Sequence, residues 1–238
     1  MNPFSDEYCR SEIKKLNCPT FDNKKVTIKK VTVEGRCDDY LTVNFRGGDT
    51  AIEECPLFLR NGEIWMSLTP MEIQSQYLPI RHGRENEIVS TVGLGIGYFT
   101  VMVMSSPTVK QLDVYEIDKE VIELFKRNFS DREGFSKVNF ILGNFRKTFK
   151  GKEYDFCYLD PYKSMHEDVI FKDYVNLHKK NNIKLLRHWG VERCFVRESA
   201  PTDIEDFLDM DHSKLKYTYS DQRFDRKVCE MYAKYEDF

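Results

Sequence analysis

Between Ile88 and Asp118 an apolar run enters Gly93-Leu94-Gly95-Ile96-Gly97, a helix-like segment follows, and a second apolar run closes on Tyr115-Glu116-Ile117-Asp118. A strand that turns sharply into a helix needs residues that accept positive φ and let a ligand approach bare backbone, and Gly93, Gly95 and Gly97 supply them. The dinucleotide fingerprint sets its third glycine three places after the second, where this chain has Tyr98, and the third glycine comes one residue early. A diphosphate is therefore disfavoured. Glu116 ends the next predicted strand about twenty residues on, where a carboxylate accepts hydrogen bonds from two ribose hydroxyls. The stretch reads as half of a nucleoside-binding α/β fold.

The alternation continues on both sides. After Ile88 the order is strand, glycine turn, helix over Tyr98 to Ser105, strand over Leu112 to Glu116, helix over Lys119 to Asn128, and strands over Lys137 to Leu142 and Tyr154 to Leu159. Such an order predicts an α/β protein whose mostly parallel sheet carries helices on both faces. Farther on, His166 to Lys180 and Ile183 to Trp189 look helical and Glu192 to Val196 strand-like. Thr202-Asp203-Ile204-Glu205 is a capping box, and Leu215 to Tyr219 with Lys227 to Tyr235 suits a closing antiparallel hairpin. Upstream, residues 24 to 67 alternate as strands, with Asn61-Gly62 a hairpin signal between Leu57-Phe58-Leu59 and Ile64-Trp65-Met66. Thr69 and Pro70 then open a helix that reaches Tyr77 and that Pro79 is expected to end. The chain divides into a β-rich piece (1–67), a connecting helix (68–83) and the nucleoside-binding region (84–238).

Composition bounds the function. With 238 residues, 41% apolar and 13% aromatic, the chain can bury a sizeable core and is neither disordered nor of low complexity. No apolar run approaches a membrane span and the first ten residues do not resemble a signal, so a cytoplasmic location and no membrane partner are expected. Seven scattered cysteines without a C-x-x-C pair read as reduced thiols, and five histidines lack ligand spacing, so no metal is expected. A net charge of −3 makes bulk nucleic acid a poor partner.

On the reaction side, the strand Tyr154 to Leu159 carries Asp160 to its carboxyl end, the edge at which open α/β sheets bind ligands. A carboxylate there can position an acceptor amine or take its proton, and Asp160 is the expected catalytic residue. Tyr162 can stack against a planar substrate, with Tyr77 expected on the same acceptor walls. Each residue also has a structural reading: Asp160 as a turn cap, Tyr162 as a core aromatic, Glu116 as a solvated strand end.

A G-x-G-x-G loop followed by such an acid resembles the class I S-adenosylmethionine-dependent methyltransferases. The resemblance covers roughly residues 84 to 238 and implies a Rossmann-like domain with S-adenosylmethionine as cofactor. It implies further that Gly93, Gly95 and Gly97 line the methionine and ribose portion, Glu116 holds the ribose, Ile117 packs on adenine, and Asn144 and Phe145 meet its edge. Thr91 stands where many of these enzymes carry an acid for the cofactor's amino group. The whole layout also looks like the spermidine synthase (aminopropyltransferase) group, in which Asp160 would match the strand-four aspartate and Gln76 or Gln74 would contact the nucleoside. Ile96 and Lys163 replace two carboxylates of that group, which disfavours a polycation. Asp160-Pro161-Tyr162 resembles, with one proline missing, the D-P-P-Y of enzymes that methylate base amines. The leading expectation is a methyltransferase for a small-molecule acceptor on a spermidine-synthase-like architecture. Aminopropyl transfer, a non-catalytic nucleoside-binding module and a scaffold that dimerises through its amino-terminal sheet are the alternatives.

Overall fold

The computed structural model describes residues 5–23, 25–33, 51–149, 151–163 and 169–190. The chain opens with α1 (Asp6–Leu16), then β1 (Phe21–Asp22), β2 (Val26–Val33), β3 (Ile52–Arg60) and β4 (Glu63–Ser67), followed by α2 (Pro70–Ser75) and α3 (Tyr77–Glu85). The core alternates β5 (Ile88–Val92), α4 (Tyr98–Met104), β6 (Gln111–Glu116), α5 (Lys119–Phe129), β7 (Val138–Leu142), α6 (Phe145–Thr148), β8 (Glu153–Leu159), α7 (Val169–Lys180) and β9 (Asn182–His188).

Five strands form the core sheet in the order β7-β6-β5-β8-β9, every neighbouring pair parallel. The chain builds outward from β5 to β7 and then returns to place β8 on the other side of β5. The resulting switch point lies between β5 and β8, where a crevice opens at the strands' carboxyl ends. The fold is thus Rossmann-like. Its central strands are near-continuous apolar runs because helices cover both faces: Val89, Val92, Leu112, Val114, Phe156 and Leu159 are all buried.

Local chemistry places the helices. Asp118 caps α5 by accepting from the Glu120 N–H, and Val121, Ile122, Leu124, Phe125 and Phe129 form its buried stripe. Replacing a buried ring such as Phe125 by alanine costs about 3–5 kcal/mol.

The amino-terminal strands pair as an antiparallel sheet in the order β1-β2-β3-β4. The expected hairpin stands: Asn61 (φ 51°) and Gly62 (φ 81°) make a two-residue turn with both residues left-handed, which suits the strand twist.

Three details differ from the sequence reading. The first piece is not only β: Ser5 caps α1 through the Tyr8 N–H, and Cys9, Ile13 and Leu16 bury one face. Tyr98 Oη donates to Glu12 at 2.9 Å, tying that helix to α4. Pro79 does not end a helix; the chain restarts at Tyr77 after Gln76, so Pro79 falls in the first turn of α3, where its missing N–H costs nothing. The segment from Ile183 is strand β9, since pairing with β8 overrides the helix preference of its Leu, Lys and Arg residues. The expected capping box, the strand over Glu192 to Val196 and the closing hairpin lie outside the described residues.

Candidate functional site

A cavity of about 560 Å³ opens at the switch point, a size suited to a nucleoside-sized ligand. Its floor is the carboxyl edge of the parallel sheet. Its roof is the β3–β4 hairpin and α2.

Backbone bonds fix the floor. Gly93 N–H donates to Tyr115 O (2.9 Å) and Asp160 N–H to Val92 O (2.8 Å), so the residue after β5 and the residue after β8 sit side by side. Gly93 has φ 92°, and a side chain there would run into the backbone carbonyl of Asp160. Gly95 is likewise left-handed and lies under the Met66 thioether, which accepts from the Ile96 N–H at 3.4 Å. The amino-terminal sheet therefore rests directly on the glycine turn.

Gly97 has a different job from the one expected of it. It is absent from the cavity wall, caps α4 at φ 85°, and has its open side filled by the Phe125 ring. It is a packing glycine for α4 against α5.

Glu116 ends β6 on the cavity wall, only 9% exposed. Its Oε2 accepts from the Leu94 N–H (3.0 Å) and its Oε1 from the Asp118 N–H (2.9 Å), which aims the carboxylate and leaves lone pairs for further donors. Burial raises its pKa, and these backbone bonds oppose the rise. Ile117 lies on the wall with 64% of its surface exposed, an apolar shelf at the mouth. Asn144 and Phe145 lie on the same wall; Asn144 Oδ1 also caps α6 through the Arg146 N–H (3.0 Å).

The opposite wall is built from side chains. Asp160 lies there, and burial with the negative charge of Glu72 pushes its pKa well above the carboxylate range, against a hydrogen bond from Tyr158. Glu72 is itself raised to about 7 by burial, although Gln76 Nε2 donates to its Oε1 at 2.6 Å. Among the described residues, the buried Gln76 Oε1 and Thr91 Oγ1 have no hydrogen-bond partner, and both residues line the cavity. Tyr162 contributes to this wall, its hydroxyl donating to Asp173 (2.9 Å), which Arg146 grips with two bonds of 2.8 and 2.6 Å. At the mouth, Arg60 pairs with Asp118 and lies over the Trp65 ring (4.6 Å), while Lys163 pairs with Glu63 at 3.6 Å.

The structure thus brings Gly93, Gly95, Glu116, Ile117, Asn144, Phe145, Gln76, Asp160 and Tyr162 to one cavity. It does not bring Tyr77, which packs edge-on against Tyr8 of α1, nor Gln74, which is buried off the cavity wall. Residues two apart on a helix do not share a face, so only Gln76 is aimed here. Sequence reasoning missed Glu72, whose i,i+4 spacing to Gln76 was the available signal. It also missed Arg60, Trp65 and Met66, which no motif marks.

The residues suit an adenosyl cofactor. An oriented acid, an apolar shelf and an amide stand along one wall, and unpartnered polar atoms stand on the other.

No known family profile and no curated protein matches the chain. Among solved structures, it is similar to spermidine synthase from Thermotoga maritima, at 15% identity and TM-score 0.38 over 53% of this chain and 45% of that one. It is similar to a SAM-dependent O-methyltransferase of the same organism, at 17% identity and TM-score 0.32 over 36% and 33% of the two chains. A third is a putative RNA methyltransferase from Pyrococcus horikoshii, at 17% identity and TM-score 0.38 over 59% and 64%. The chain spans less than half the length of the first two.

Proposed function

We propose that the protein is a transferase that binds S-adenosylmethionine at the switch-point cavity and transfers its methyl group to a small-molecule acceptor. The observation that carries this reading is Glu116, buried at the end of β6 and aimed by the Leu94 and Asp118 amides into the cavity that Gly93 and Gly95 floor. Glu116 would hold the ribose hydroxyls, Ile117 would pack on adenine, and Phe145 with Asn144 would close its edge. When bound, the cofactor supplies an electrophilic sulfonium methyl group. Asp160, in its ionised form, would orient the acceptor's nucleophilic atom in line with that methyl and take up its proton, so that proximity supplies most of the acceleration. The roof of Trp65, Met66 and α2 over the floor favours a small acceptor over a nucleic-acid strand, as does the net charge of −3.

Isothermal titration with S-adenosylmethionine, S-adenosylhomocysteine and decarboxylated S-adenosylmethionine tests the reading, with Glu116→Ala in parallel. The expected result is preference for the two carboxylated ligands, weakened about 30-fold in the variant, as befits two charge-assisted hydrogen bonds. Preference for the decarboxylated ligand would replace methyl transfer by aminopropyl transfer. Binding of none of the three would overturn the cofactor assignment.

A further inference from the structure

We infer that Asp173 on α7, which is not on the cavity wall, is a positioning residue that fixes both walls with one carboxylate: it holds Arg146 beside the proposed adenine edge and Tyr162 on the acceptor side. The inference rests on the cofactor reading above and names the residue that sharpens its selectivity for the base.

α7 carries a charge where its pattern calls for an apolar residue. Ile170, Tyr174 and Leu177 are its buried stripe, packed in one cluster with Phe145 and Tyr162. Asp173 lies in that stripe, one turn from both Ile170 and Leu177, and is only 4% exposed. Carboxylates are almost never fully buried unless paired, and a buried ion pair is often no more stabilising than apolar residues of similar volume. Packing of α7 therefore does not account for Asp173. Its partners do.

Its Oδ1 accepts from Arg146 Nε (2.8 Å), and its Oδ2 accepts from both Arg146 Nη2 (2.6 Å) and Tyr162 Oη (2.9 Å). Two parallel bonds fix the plane of the guanidinium as well as its place, which a lysine could not reproduce. Arg146 in turn meets both residues proposed for the adenine edge. Its backbone N–H donates to Asn144 Oδ1 (3.0 Å), and its guanidinium lies 4.9 Å from the centre of the Phe145 ring. A long, half-exposed arginine has many rotamers open to it, and the grip of Asp173 selects the one that covers Phe145. The same carboxylate anchors the hydroxyl end of the Tyr162 ring, which lines the cavity on the far side of β5. Because Oδ2 serves both partners, a displacement of either one is felt by the other.

Titration calorimetry on the whole chain tests this role with two ligands, S-adenosylhomocysteine and S-inosylhomocysteine, in which an oxygen replaces the adenine amino group. The wild type is compared with Asp173→Asn, Arg146→Lys, Tyr162→Phe, the double variant Asp173→Asn/Tyr162→Phe, and Glu116→Ala, each checked for folding by thermal melting. Arg146→Lys, at a half-exposed position, carries the test if Asp173→Asn does not fold.

The wild type is expected to prefer the adenine ligand about 30-fold. That preference should fall about tenfold in Asp173→Asn and in Arg146→Lys, and about threefold in Tyr162→Phe, with no further fall when Tyr162→Phe is added to Asp173→Asn. Glu116→Ala should weaken both ligands alike and leave the preference unchanged. If the folded Asp173→Asn and Arg146→Lys proteins keep the preference, whether or not both ligands bind more weakly, Asp173 serves only the packing of α7 and the inference is overturned. A Tyr162→Phe effect that adds in full to that of Asp173→Asn would overturn it too, by showing that the carboxylate does not join the walls. Binding that depends on Glu116 but shows no preference for adenine leaves the cofactor reading and removes the inference; binding of neither ligand removes both.

Discussion

The two walls of the cavity are made by different physics. On the wall proposed for the nucleoside, Gly93, Gly95, Glu116 and Asn144 owe their positions to backbone events at the ends of β5, β6 and β7: left-handed turns, a carboxylate held by two amides, a helix cap. On the wall opposite, the proposed reaction wall, Glu72, Gln76, Thr91 and Asp160 come to one cavity because α2 is laid across the sheet, and Gln76 Oε1 and Thr91 Oγ1 have no hydrogen-bond partner among the described residues. The first wall is a local, well-satisfied scaffold. The second is a tertiary assembly that gathers two carboxyl groups and buried polar atoms without partners among the described residues, at some expense of stability.

The comparison breaks most readily at Gly93. A methyl group there meets the Asp160 carbonyl and must adopt φ near 92°, so Gly93→Ala should destabilise the fold by about 3 kcal/mol or more and disturb both walls at once. A urea denaturation midpoint equal to that of the wild type would show that the walls are not joined there. Glu116→Ala comes next: affinity for S-adenosylhomocysteine should drop about 30-fold, roughly 2 kcal/mol, with little change in melting temperature. A comparable fall in stability instead would make Glu116 a purely structural acid.

The reaction wall gives an effect of opposite sign. Folding raises the pKa of Glu72 from 4.5 to about 7, so its neutral form is favoured in the native state. The stability from this group is complete below pH 4.5 and is lost as the pH rises through 7. Glu72→Gln removes the titration and keeps an oxygen for Gln76. The variant should melt with the wild type near pH 5 and a few degrees above it at pH 8, corresponding to about 1–2 kcal/mol; parallel melting curves at both pH values would refute the assignment. The smallest effect belongs to Tyr162→Phe, which deletes one hydrogen bond to Asp173 while Arg146 retains its two. About 1 kcal/mol should be lost in denaturant unfolding. A larger loss would mean that the Tyr162–Asp173–Arg146 chain acts as one unit.

Legibility in the sequence followed the same divide. The glycine turn, the strand–helix alternation from Ile88 to Leu159, the Asn61-Gly62 hairpin and the acid at Glu116 are each written in a few consecutive residues, and each is found in the structure. Errors arose where long-range packing outvotes local preference. The run Ile183-Lys184-Leu185-Leu186-Arg187 has good helix formers and becomes β9 because β8 offers it a parallel partner. Tyr77 stands next to Gln76 in sequence yet turns toward Tyr8, because successive helical residues point about 100° apart. Gly97 follows the same logic, since the residue that opens α4 packs under the ring of Phe125 on α5, off the cavity wall.

The sequence by itself determined the Rossmann-like core, the sheet edge at which its cavity opens and the buried acid at the end of β6, because turn chemistry and hydrophobic periodicity act over a few neighbouring residues. Only the tertiary structure decided which residues face one another across the cavity: Met66 over the glycine turn, Glu72 and Gln76 over Asp160, Tyr162 against Asp173. Those encounters depend on how α2 and the β3–β4 hairpin pack onto the sheet. That packing is set by buried surfaces dozens of residues apart, which no local pattern records.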